Sequence, residues 1–149
     1  MKEFLELEKV NKYVFHGSES LIDEFEPRQA FTVVGGRKVP DGKPAVFASP
    51  FVAYAAFMAL INSTNCPKGL RSICSYNDGN LVFKASKATL EQLNGRSKGF
   101  VYIFDRINFE RRNGSEWISY NKVRPIRFIE VGVQDLPSPI LEISEDYSF

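Results

Sequence analysis

Residues 49–64, SPFVAYAAFMALINST, carry the longest helical pattern in the chain, and most of what surrounds it reads as strand or turn. Ser49 suits an N-cap and Pro50 the first helical position, where a backbone N–H has no partner anyway. Ala53, Ala55, Ala56 and Ala59 keep the side chains small, so the helix is expected to lie close against a sheet. The strands come from short apolar runs. KYVFH (12–16) ends at Gly17, AVFAS (45–49) runs into the helix, and GFVYIFD (99–105) is aromatic and β-branched. RSICSYN (71–77) and NLVFKAS (80–86) flank Asp78-Gly79, a hairpin signal. EWISYNKVRPIRFIEVGV (116–133) follows the Asn113-Gly114 turn and holds strand pieces interrupted near Pro125.

The remaining segments are less regular. ESLIDEFEP (19–27) predicts one to two helical turns stopped by Pro27, and KATLEQLNG (87–95) a short helix ended by Gly95. GGRKVPDGKP (35–44) predicts a flexible exposed loop. In EFLELEKV (3–10) the apolar positions are too irregular for a helix, and the segment is read as docking against the body. The order is strand, loop, strand, helix and then several strands, which predicts an α+β fold with a largely antiparallel or mixed sheet rather than alternating βαβ units. At 149 residues, 44% of them hydrophobic, one domain over 1–149 is the expectation.

Nineteen basic and eighteen acidic residues leave a formal charge of +1, which gives no strong nucleic-acid signal. The first ten residues hold Glu3, Glu6 and Glu8, unlike a secretory signal, and no apolar run reaches the length of a membrane span. Two cysteines, Cys66 and Cys74, are too few for a disulfide framework and fit a reduced compartment. A soluble, cytoplasmic protein with no membrane partner is expected. With one histidine, His16, no zinc spacing is met and no metal is expected. Cys66, in TNCPKG, has no activating signature, so an incidental loop cysteine is favoured over a Cys–His pair with His16. Gly35-Gly36 is a turn and no phosphate-binding glycine motif occurs.

What remains is a set of groups at strand ends. His16 closes the first strand, Phe47 lies in the second, and Glu116 opens a late one, while Tyr54 and Phe57 stand one turn apart on the helix. Aromatic faces, an imidazole and a carboxylate suit a flat cationic ring joined to a sugar. The rings stack on the cation, the imidazole bonds a hydroxyl, and the carboxylate favours the positive charge that grows as the glycosidic bond breaks. Each residue also has a structural reading, His16 as a satisfied strand-end residue, the aromatics as core, and Glu116 as a solvated turn residue.

FHGSES, AVFASPFVAYAAF and GSEWISYNKV resemble, in order and spacing, three signature segments of the ADP-ribosyltransferase fold, in its diphtheria-toxin and poly(ADP-ribose) polymerase branch with a His, Tyr, Glu triad. The resemblance covers residues 12–131 and implies a split β-sheet, mixed or antiparallel, with few short helices. It implies NAD as a substrate, a macromolecular acceptor of unknown identity or water, and transfer through an oxocarbenium-like transition state. In the roles it carries over, His16 bonds a ribose hydroxyl, the Gly17 backbone meets the nicotinamide carboxamide, and Ser18 belongs to the same His-Gly-Ser segment. Phe57 takes the place of the stacking tyrosine, Tyr54 that of a serine on the carboxamide, and Glu116 holds the 2′-hydroxyl and is, with His16, catalytic. Arg28, Arg37 and Lys38 are candidates for the pyrophosphate.

Two departures stand out. Val46 or Phe47, depending on register, replaces the central tyrosine, and Gly114 stands two before Glu116 where arginine-modifying relatives carry Glu or Gln. An arginine acceptor is therefore disfavoured. A second reading is a catalytically degenerate module on the same fold that binds NAD or ADP-ribose. A third, a relative of RNA 2′-phosphotransferases, is disfavoured by the near-neutral charge.

Overall fold

The computed structural model describes residues 1–62 and 72–143; Cys66, with the question of its pairing to His16, lies outside the described residues. The chain opens with helix α1 (Lys2–Glu8) and strand β1 (Tyr13–Ser18). A hairpin of β2 (Phe31–Val34) and β3 (Arg37–Pro40) leads to β4 (Val46–Ala48) and helix α2 (Val52–Leu60). There follow β5 (Ser72–Asn77), β6 (Asn80–Ser86), α3 (Lys87–Gln92), β7 (Lys98–Asp105), β8 (Glu110–Arg111), β9 (Trp117–Ser119), β10 (Arg127–Gly132) and β11 (Ile140–Ile143). The architecture is α+β, with mostly antiparallel strands in several small sheets.

One sheet has the order β1-β7-β10 and a second the order β4-β9-β8, both antiparallel throughout. They are joined where Phe15 and Ser49 exchange two backbone hydrogen bonds of 2.7 Å, and beyond that bridge β1 and β4 part. A third sheet, β11-β6-β5, contains the parallel pair β6–β11. Helix α2 lies across β1 and β7 and shares a core with α1, where Phe4 and Phe15 meet at 5.7 Å. The expected closeness of helix to sheet has a specific source. A Cβ on Gly17 would sit 1.8 Å from the Ala55 carbonyl oxygen, and one on Gly99 would sit 2.4 Å from that of Ala59. Glycines on two neighbouring strands and alanines on the helix let the backbones touch.

Several expectations are corrected. Residues 3–8 are helical, and Phe4, wholly buried, is what docks them. Residues 19–27 form no helix. The Tyr102 hydroxyl takes the Ile22 N–H at 2.7 Å and donates to the Ser20 carbonyl at 2.8 Å, while Phe25 pairs backbone to backbone with Val123. Those contacts occupy the groups a helix would need. Residues 35–44 are not all loop. Gly35 and Gly36, at φ 56° and 77°, form a two-residue turn and Arg37–Pro40 is a strand. Helix α2 starts three residues after Ser49, whose backbone is taken by Phe15. The first N–H of the helix, that of Val52, donates instead to the Glu8 carboxylate at 2.6 Å. Helix α3 stops at Gln92, before Gly95. The strands about Asp78-Gly79 and residues 99–105 form as expected.

Candidate functional site

Where β1 and β4 part, a cleft opens. It consists of two cavities, one of about 380 Å³, termed the outer, and one of about 270 Å³, termed the inner, both open to solvent and sharing His16, Ala30 and Phe47 in their walls. His16 and Glu116 both line the inner cavity, together with Gly17, Tyr54 and Phe47. Residues from β1, β4, α2 and the β8–β9 turn thus converge on one space.

His16 is set by the pleat of β1, which turns Phe15 towards α2 and His16 towards Phe25, whose ring meets the imidazole edge-on at 4.9 Å. Its Nδ1 lies 2.6 Å from the Phe47 carbonyl oxygen, which makes Nδ1 the protonated nitrogen. Nε2 is left as an acceptor with no protein partner among the described residues, on a side chain that lines both cavities. Burial holds the imidazole below its usual value, against the Phe47 carbonyl and with help from the Arg28 charge. A neutral ring that accepts through Nε2 suits a ligand hydroxyl.

Gly17 follows from the same ladder. Phe15 turns its N–H and C=O away from β7 to Ser49, so by the antiparallel alternation Gly17, two residues on, turns its own the same way. β4 has already parted there, and the Gly17 amide faces the inner cavity. Its missing side chain serves the contact with Ala55.

Glu116 stands at the end of the β8–β9 turn. The Asn113 side-chain oxygen accepts from the N–H groups of Ser115 and Glu116, each at 2.9 Å, and Arg112 N–H donates to the Glu116 carbonyl at 3.0 Å. This Asx turn fixes the backbone that carries the carboxylate. Tyr54 lines the same cavity as Glu116; burial first, then the nearby carboxylate, raises its phenol above the ordinary value.

Phe57 is corrected. Its ring is wholly buried against Phe83 at 5.0 Å and presents no face to the cleft. Helix α2 is buried on two sides, so Tyr54, Ala55 and Met58 are the residues turned to the inner cavity. Phe47 lines both cavities, while Val46 is core and touches only the outer one. Ser18 and Arg28 line the outer cavity, Arg28 held by a backbone bridge to Ala45. Arg37 and Lys38 lie on the exposed β2–β3 hairpin and line neither cavity; the Lys38 ammonium sits over the Phe31 ring at 5.5 Å. Cys74, half-buried on β5, has its thiol pushed up to about 12 by burial, which leaves it unreactive.

Sequence reasoning missed Asp41, Met58 and Arg112. Arg112 pairs with Asp41 at 2.6 Å and with Glu116 at 3.5 Å, and its guanidinium carbon lies 5.6 Å from the Phe47 ring centre. The spacing of Arg112 four before Glu116 across a tight turn was a usable signal; nothing local marked Asp41. Among the described residues no three His, Cys, Asp or Glu side chains group as a metal site would, and no helix is long and apolar enough to cross a membrane. No protein-family model, curated protein or solved structure matches the chain.

Proposed function

We propose that the cleft binds NAD and cleaves its nicotinamide–ribose bond, passing ADP-ribose to a macromolecule or to water. The observation that carries this reading is that His16 and Glu116, exactly one hundred residues apart in sequence, line one cavity with Tyr54 and Phe47. Two antiparallel sheets that part at the Phe15–Ser49 bridge support an ADP-ribosyltransferase-like split sheet as the frame.

In this reading the nicotinamide enters the inner cavity. The Gly17 amide pairs with the carboxamide, and Tyr54 and Phe47 supply aromatic surface for the cationic ring. His16 accepts from a ribose hydroxyl through Nε2. Glu116, oriented by Asn113 and sharing the cavity with Tyr54, accepts from the 2′-hydroxyl and stabilises the positive charge at C1′ as the C1′–N bond breaks. Nicotinamide leaves neutral with the bonding electrons, and the acceptor's lone pair closes on C1′ and its proton goes to Glu116 or solvent. The phosphates and adenosine extend through the outer cavity past Ser18 and Arg28. Together the two cavities are of a size that suits such a ligand.

The test is release of labelled nicotinamide from NAD. Glu116→Gln, nearly isosteric, is expected to lower the rate by about a hundredfold or more while leaving NAD binding within a few-fold. Equal rates in the two proteins overturn the assignment. The second reading, a module that binds NAD or ADP-ribose without turnover, is favoured by Phe47, which keeps a ring face but lacks the hydroxyl of the triad's tyrosine. It predicts heat of binding in calorimetry with no nicotinamide released by the unmodified protein.

A further inference from the structure

The inner cavity already holds a flat cation that belongs to the protein. The Arg112 guanidinium bridges Asp41 and Glu116, two carboxylates that line the same cavity, at 2.6 and 3.5 Å. It also stands over the face of Phe47, its central carbon 5.6 Å from the ring centre. A planar delocalised cation, an aromatic face beside it and a carboxylate against it are the contacts proposed above for the nicotinamide ring. The Arg112 backbone is pinned by its hydrogen bond to the Glu116 carbonyl, but its side chain is a third exposed and free to turn outward about flexible torsions. Asp41 follows β3 on the side of the cleft formed by the exposed hairpin, so the guanidinium ties that side to the β8–β9 turn.

From this geometry we infer that Arg112 is the gate of the cation subsite: its guanidinium stands in for the ligand's flat cation and must swing away before that ligand binds Phe47 and Glu116. The inference rests on the NAD reading for the identity of the ligand and deepens it by naming what regulates entry. Like charges exclude each other from one carboxylate, so guanidinium and ligand ring compete rather than share the space. The closed arrangement lowers apparent affinity by the fraction of time the gate is open. Asp41 is the latch, since it makes the shorter of the two pairs.

The experiment uses 1-methylnicotinamide, a flat cation without sugar or phosphate, titrated into the full chain and followed by NMR or calorimetry. Arg112→Gln and Arg112→Ala are expected to bind it about tenfold more tightly than the unmodified protein, the order of one partly exposed ion pair and one cation–π contact. Methylguanidinium added to either variant should fill the vacated place and reverse the gain, while it scarcely affects the unmodified protein. Arg112→Lys keeps a cation for Asp41 but cannot lie flat on Phe47, so it should recover part of the gain in a protein with its ion pair intact. Thermal unfolding confirms which variants are folded. Binding in the folded variants that is no tighter, or is weaker, overturns the gate and makes Arg112 a residue that positions Glu116. A gain in methylnicotinamide binding with no nicotinamide released from NAD supports the gate and removes the transferase reading. NAD cleavage by the unmodified protein with no gain in the variants does the reverse.

Discussion

His16 shows how little room a side chain has once the backbone is placed. One nitrogen is fixed by the Phe47 carbonyl, one edge by Phe25, and only Nε2 is left for a ligand. Burial lowers its pKa in the folded state, while the unfolded chain takes up the proton near 6.5. Over the interval below that value the unfolded state binds more protons, so stability is full above about pH 6.5 and falls as the pH drops, until folded His16 protonates too. Urea midpoints at pH 7.5 and 5.5 should therefore differ more for the unmodified protein than for His16→Gln, and equal differences would refute the assignment. His16 was legible in the sequence as the one histidine at the end of an apolar run, and Glu116 because it follows the Asn113-Gly114 turn. Phe57 was not. A three-residue spacing places two side chains on neighbouring sides of a helix, but which side meets the cleft depends on what buries the rest, and here Phe83 claims Phe57.

Among the elements, α2 sets the depth of the cleft, because Ala55 and Ala59 rest on Gly17 and Gly99. Gly17→Ala would drive a methyl to within 1.8 Å of a helix carbonyl, so helix or strand has to move. We expect a loss of about 3 kcal/mol, with Gly99→Ala similar, measured by chemical denaturation. Because Gly17 also faces the cleft through its amide, Gly17→Ala should weaken ligand binding whereas Gly99→Ala should leave it unchanged. If both variants unfold at the midpoint of the unmodified protein, the close packing is not what sets the helix position. The alanine-rich run announced this contact, since small side chains have no other use along a buried helix face. The hairpin β2–β3 carried a local signal too, Gly35-Gly36, but its strands are exposed and lack the alternation that marks a half-buried sheet.

At the scale of the whole molecule, contacts between distant segments do most of the shaping. Glu8 receives the Val52 N–H across 44 residues and so couples the first helix to the start of α2. Glu8→Ala should cost about 1 to 2 kcal/mol, as removal of a helix N-cap does, and should loosen residues 2–8 in hydrogen exchange before it affects β7. Uniform loss of protection would show that α1 is no separate unit. What the sequence determined by itself is short-range: the turns at Asp78-Gly79 and Gly35-Gly36, where φ is positive, the period of the strands, the alanine stripe of α2, and the Asx turn below Glu116. Those features depend on steric limits within a few residues, so neighbours suffice to specify them. Only the tertiary structure decided that residues 19–27 form no helix, that Tyr54 and not Phe57 faces the cleft, and that Asp41 and Arg112 meet. In each of these a polar group or ring is satisfied by a partner far along the chain, and no local pattern encodes which partner that is.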